Sequence, residues 1–280
     1  VYKVSLAKGE DCYETTRRCL RNICLGINAN DNVFIKINLS TKRKPEEGMT
    51  THPEVVEALA DIIESVTRDI TIIESDSSDP TSNADLNFEF CGFDYLLERG
   101  IKYVNLSKAE RTLFSLDKTK ILKDIEFASI MKDYDVLVNI PVLKTHSIVG
   151  TTLGVKNLFG LIPEKRKLVY HPHLIEVLYD VYCTFPSSLT IIDGMVGCEG
   201  WFGELFGNPV GMGVVIAGTN TIAVDLVAAR LMGFDPAMMT YFQEARERGV
   251  MIDEKRIRIV GESLEKLKTK FRYEYEQVVS

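Results

Sequence analysis

The 280-residue chain lacks several signatures, and each absence removes a class of function. Its six cysteines, Cys12, Cys19, Cys24, Cys91, Cys183 and Cys198, form no Cys-x-x-Cys pair. No zinc ribbon or thioredoxin motif is written here, and no iron–sulfur cluster is expected within the chain. No apolar run approaches the roughly 20 residues of a spanning helix, and Val1–Lys8 has no apolar core of signal-peptide length. A reduced, cytoplasmic setting with no membrane partner is the expectation. Positive charge is not in excess: the net charge is -7 and the pI near 5.3, which argues against nucleic acid as a partner. Neither a P-loop nor a dinucleotide fingerprint occurs, so ATP and NAD have no positive support.

What is present reads as one α/β domain over residues 1–280. The apolar fraction of 45% is ordinary for a globular chain of a size that can bury a large core. Short continuous apolar runs at Val33–Leu39, Ile70–Ser75, Ile101–Leu106, Asp135–Ile140, Leu189–Asp193 and Val214–Ala217 alternate with helical stretches. Those helices are expected over Cys12–Leu25, Thr51–Val66, Phe88–Arg99, His173–Phe185, Ile222–Met232 and Pro236–Arg248. Thr51 with Glu54 has the form of a capping box, and Pro53 suits a first turn. The alternation predicts a mostly parallel, doubly wound sheet with helices on both faces. Residues 107–130 fit neither pattern and are expected to form a small excursion.

Three of the four histidines, His146, His171 and His173, fall between Pro141 and His173. Lys144, Lys156, Lys165, Arg166 and Lys167 join them against one carboxylate, Glu164, a local +4 in an acidic chain. Such a concentration points to an anion, a metal, or both. In an open α/β sheet, ligands sit beyond the carboxyl ends of the strands. Asn38, the Lys42–Lys44 run, Glu74, Asp76, Asp79, Lys144, His146, Asp193 and Glu199 all follow strands in this way. Lys156, His146 and His171 are the candidate catalytic residues. A lysine among cations and apolar neighbours loses its proton more easily and becomes a nucleophile, and the histidines are expected to move protons near neutral pH. A small anionic ligand is expected on Asn38, Thr51, Lys144, Thr145 and Asn157, near the start of the helix that follows Thr51. His171 and His173 are close enough to share a metal, with Asp193 as a third ligand. Plainer readings stand beside these. His52 can simply line a helix start, Asp76 and Asp79 can be turn formers, and Lys165–Lys167 can be a solvated loop. Seven glycines between Gly194 and Gly213 suggest a mobile flap.

The motifs Thr51-His-Pro-Glu-Val-Val-Glu-Ala-Leu59, Leu143-Lys-Thr-His146, Val155-Lys-Asn-Leu-Phe-Gly160, Ile192-Asp-Gly194 and Ala223–Gly233, over about residues 33 to 261, resemble the family catalogued as domain of unknown function 362. That family has no settled activity to carry over. Many members have an attached ferredoxin module, so the resemblance implies a ferredoxin-like partner. A second resemblance is mechanistic. The order His146, Lys156, His171 is similar to that of the nickel-pincer lactate racemase family, in which a lysine holds a pyridinium-derived cofactor and a histidine ligates nickel. The resemblance implies racemase-like, metal-assisted proton transfer, with a metal ion or an anionic nickel-pincer-type cofactor as candidates. A redox-partner, cofactor-carrying or sensing role is the alternative.

Overall fold

The computed structural model describes residues 1–39, 42–78, 82–117, 119–200 and 207–273. Strands β1 (Tyr2–Lys8), β2 (Val33–Lys36), β3 (Ile70–Glu74) and β4 (Lys102–Asn105) form in the first part of the chain, with β5 (Arg111–Ser115) and β6 (Asp124–Ala128) next. Then come β7 (Val136–Asn139), β8 (Val142–His146), β9 (Gly150–Thr152), β10 (Leu189–Glu199), β11 (Asn208–Gly218) and β12 (Ile257–Gly261). The main sheet has the order β12-β1-β11-β10-β7-β2-β3-β4, with β8 and β9 added beside the extension of β10. All its pairings are parallel except those of β11 with β1 and β10 and that of β9 with β8.

Each central strand is apolar on both faces because helices cover both. Ile35, Ile72, Val138 and Ile191 face one core with helices α1 (Cys12–Leu20), α2 (Pro53–Ile63), α3 (Ala84–Phe90) and α4 (Asp94–Glu98). Phe34, Ile73, Leu137 and Ile192 face the other with α5 (Gly154–Asn157), α6 (Leu174–Thr184), α7 (Thr221–Leu231) and α8 (Thr240–Glu247), while α9 (Leu264–Leu267) packs near the end of the described chain. The mostly parallel, doubly wound sheet expected from the sequence is therefore the observed architecture. The excursion around 107–130 is also observed, as the separate antiparallel hairpin β5–β6.

The chain runs outward from β2 to β3 and β4, then returns to β7 on the other side of β2. This reversal opens a crevice at the carboxyl ends of β2 and β7, where an α/β sheet binds ligands. Lys36 ends β2, Asn139 ends β7 and Asn38 follows just beyond β2, all three buried.

Several local expectations are corrected. Helix α1 stops at Leu20, so Cys24 lies beyond it and is exposed. The expected 88–99 helix breaks into α3 and α4 at Gly92, whose φ of 79° is left-handed. The N-cap of α2 is His52, not Thr51, and it makes no side-chain cap bond. The described part of the glycine-rich stretch is a long ribbon of β10 and β11 with a bulge between Gly194 and Val196. Residues 201–206 of that stretch, with Thr41 and Asp79, lie outside the described residues.

The β5–β6 excursion is fastened by one buried carboxylate. Asp180 on α6 accepts the backbone N–H groups of Lys120, Ile121 and Leu122, each at 2.8 Å, and pairs with Arg248 at 2.6 Å. Asp180→Ala strands three amides and leaves Glu244 as the remaining carboxylate partner of the buried Arg248 guanidinium. Urea denaturation is expected to show a loss of about 3–5 kcal/mol; a loss below about 1 kcal/mol would mean that the hairpin is held elsewhere.

Candidate functional site

The site is built on Lys36. Its strand is covered on both sides, so its ammonium cannot reach water, and its Nζ meets Glu74 Oε1 at 2.7 Å and the Ile37 carbonyl at 2.7 Å. Glu74 is equally buried. It also accepts the amides of Leu39 and Ser75, each at 2.9 Å. Gly160 lies against this pair: a Cβ there would stand 2.6 Å from Lys36 Nζ and 2.8 Å from Glu74 Oε1. That contact is the physical reason for glycine at the end of the Lys156–Gly160 motif.

Three more lysines gather around the pair. Lys144, on β8, gives hydrogen bonds to Asn38 Oδ1 at 2.6 Å and the Met49 carbonyl at 3.2 Å. Lys167 donates to Ser75 Oγ at 2.6 Å and the Asp76 carbonyl at 2.7 Å. Lys156, on α5, is mostly buried, and its Nζ lies 4.8 Å from the centre of the Phe159 ring. Among the described residues it makes no hydrogen bond and no ion pair. Asparagines connect the frame. Asn38 Nδ2 donates to Asn157 Oδ1 at 3.0 Å, Asn157 Nδ2 to Asn139 Oδ1 at 2.8 Å, and Asn139 Nδ2 to the Gly154 carbonyl at 2.8 Å. Thr51 Oγ1 accepts from the Asn38 amide and donates to the Ile140 carbonyl, both at 2.9 Å.

Helix α5 is short, and its orientation depends on Asp225. This buried carboxylate accepts the amides of Gly154 at 2.7 Å and Val155 at 3.0 Å, and the Tyr241 hydroxyl. Burial lifts its pKa to about 6, against the pull of the Tyr241 hydroxyl and the two amides. Asp225 thereby sets the direction of the turn that carries Lys156 and Asn157.

The cations disfavour one another. Burial is the main cause that brings Lys156 down to about 7, and Lys144, Lys167 and Lys36 add to it. Burial also brings Lys144 and Lys167 to about 8, with Glu74 opposing and Lys36 assisting in both. Burial lowers Lys36 too, although Glu74 resists. His146 is pushed well below its ordinary value by burial and by Lys156, His171 and Lys144, and His171 is lowered by burial and Lys156. His146 Nδ1 accepts the amides of Ile148 at 3.2 Å and Val149 at 3.4 Å, which places the ring proton on Nε2. Its Nδ1 is thus engaged by the backbone, and the charged imidazolium is disfavoured.

Of the residues singled out in the sequence, Lys144, His146, Lys156, Asn157, His171 and Asn38 come together here. Thr51 supports the frame from below, and Thr145 instead bonds the Gly200 carbonyl at 2.9 Å. The metal set does not converge. Among the described residues, no three His, Cys, Asp or Glu side chains form a group that could hold a metal. His173 is exposed, 3.8 Å from Glu176. Asp193 Oδ2 accepts the His52 backbone N–H at 2.7 Å and meets Nδ1 at 2.8 Å. Burial works against the His52 imidazolium, but Asp193 outweighs it and raises the pKa. The amide at the start of α2 is therefore not open to an anion. Lys165–Lys167 is not a solvated loop throughout, since Lys167 turns inward and Lys165 bonds the Ser82 carbonyl at 2.9 Å. In the sequence, neither Lys36, Gly160 nor Asp225 stands out as a site residue, and Asp193 reads as a metal ligand rather than as the partner of His52. A lysine inside an otherwise apolar strand run was the readable signal for the first.

A family model described as Domain of unknown function (DUF362) matches residues 33–230. A thylakoid-associated protein of Synechocystis sp. is 27% identical over 218 residues, covering 75% of this chain and 66% of that protein. In structure the chain is similar to the lactate racemase apoprotein from Thermoanaerobacterium thermosaccharolyticum. The TM-score is 0.54 at 11% identity, over 83% of this chain and 56% of that one. The chain thus spans just under two thirds of the first relative and just over half of the second. At that identity the second likeness concerns the fold alone. No helix among the described residues is long and apolar enough to cross a membrane.

Two outcomes follow. Gly160→Ala pushes a methyl into the Lys36–Glu74 pair and is expected to cost about 1–3 kcal/mol; a neutral result in thermal melting would show that the pair can move aside. The lowered lysines bind fewer protons folded than unfolded between about pH 7 and their ordinary 10.5, so they should add stability as pH rises through that window. Replacing Lys144, Lys156 and Lys167 by Met should remove that slope in urea titrations; an unchanged slope would contradict the lowered values.

Proposed function

The chain belongs to the DUF362 family, and we propose that it is an enzyme acting on a small anionic substrate or cofactor, with the Lys156 amine as its reactive group. One observation carries this reading. Lys36, Lys144 and Lys167 are each tethered by hydrogen bonds, whereas Lys156 has no polar partner among the described residues in the same cationic crevice. An amine kept near neutrality by burial and by neighbouring cations is a nucleophile or a base at working pH. The tethered lysines supply the field that draws an anion in and holds it. Protein stability favours no such arrangement, which supports a functional reason for keeping it. The six free cysteines are in keeping with a reducing, cytosolic setting.

The fold likeness to a lactate racemase apoprotein supports a racemase-like variant of this proposal. An unpartnered amine beside surplus ammonium groups fits the covalent, anionic part of a pincer-type cofactor, with Lys156 as the point of attachment and Lys144 and Lys167 facing its charges. Such a cofactor would supply a pyridinium ring able to accept a hydride. A complete metal shell from this chain's own side chains does not fit, since no group of three ligands forms among the described residues.

Thermal-shift titration with phosphate, pyrophosphate and lactate tests the reading. At least one anion should stabilise the wild type by about 2–3 kcal/mol near 100 times its Kd, and less as salt is added. Lys156→Ala should bind it tenfold or more weakly, about 1.4 kcal/mol, while itself melting no lower than the wild type near neutral pH. Equal stabilisation of both proteins would remove Lys156 from the site.

A further inference from the structure

We propose that Lys156 forms a Schiff base with a carbonyl compound that carries an anionic group, a 2-oxo acid being the simplest form. This deepens the proposed function and rests on it. The site separates two tasks that such a substrate requires. Lys144 and Lys167 are fixed by neutral oxygens of Asn38, Met49, Ser75 and Asp76, so their charges are positioned but not cancelled. They suit a carboxylate or phosphate. Lys156 is held by none of these groups, and its Nζ lies 4.8 Å from the centre of the apolar Phe159 ring. It is not needed as one more fixed charge and is free to bond to carbon.

The groups around the amine match the steps. The Nζ lone pair attacks the carbonyl carbon, the C=O electron pair moves to oxygen, and a proton passes from nitrogen to that oxygen, giving a carbinolamine. The C–O bond then breaks, water leaves with a second proton, and a C=N bond forms with no change of oxidation state. His146, close enough to feel the charge of Lys156, has its Nδ1 engaged by the Ile148 and Val149 amides, so its ring is fixed in orientation at the site and does not offer Nδ1 as a base. The depressed basicity of Lys156 serves the same step, because only the neutral amine attacks.

The test uses the full chain with glyoxylate, pyruvate or 2-oxoglutarate, each with sodium cyanoborohydride, and acetone as the uncharged control. Intact-mass and peptide mass spectrometry then locate the reduced adduct. The expected result is a single adduct on Lys156, formed at least about tenfold faster than on exposed lysines such as Lys102, faster with an oxo acid than with acetone, and absent in Lys156→Arg. Circular dichroism and melting of Lys156→Arg establish that it is folded. Adducts scattered over surface lysines, or no adduct at Lys156, overturn the proposal. If anions still stabilise the wild type in that event, the anion site stands and only the carbonyl chemistry falls. If no anion binds either, both fall together.

Discussion

Among the described residues, four lysines gather around one buried glutamate, Glu74, and most of the surrounding structure is arranged to tolerate that imbalance. Among the described residues, Lys36 alone of the four has an ionic partner, Glu74 at 2.7 Å. Lys144 and Lys167 are satisfied by dipoles rather than by charge, and Lys156 by a ring face. Removing one ammonium from water costs several kcal/mol unless it is paired or loses its proton. The chain uses both routes, pairing Lys36 and weakening the hold of the others on their protons.

The fold supplies what such a site needs. The site forms where the sheet order reverses, so the paired ends of β2 and β7 bring Lys36 and Asn139 side by side, with Asn38 just beyond the end of β2. The hydrogen bonds from Asn38 to Asn157 to Asn139 then lock the α5 turn onto those strand ends. Asp225 holds the same turn from behind through the Gly154 and Val155 amides. Lys156 thus stands without a polar partner among the described residues on a segment held by hydrogen bonds at both ends, a usual arrangement for a reactive side chain on a preorganised support.

Much of this was legible in the residues. Apolar β-branched runs such as Val33–Ile37 and Leu189–Ile192 announced covered strands, and the gathering of cations between Pro141 and His173 announced a site. Less legible was anything that depends on contacts distant in sequence. Nothing near Asp193 marks it as the partner of His52, 141 positions away, rather than as a metal ligand. Nothing near Thr51 shows that its hydroxyl serves Ile140 instead of capping α2. Lys167 was hidden for a different reason, since a basic run usually faces water and only the Ser75–Asp76 loop turns this one inward.

Lys156 is a weakly basic amine because burial keeps water from it and its neighbours are cationic. The direct measurement is an NMR titration of the lysine side chains, labelled with carbon-13 at Cε, in the intact protein. Lys156 should titrate near 7, and its midpoint should climb when Lys144 and Lys167 are both replaced by Met. A Lys156 midpoint at the ordinary 10.5 would contradict the claim, because the amine would then be a protonated surface cation with no special chemistry.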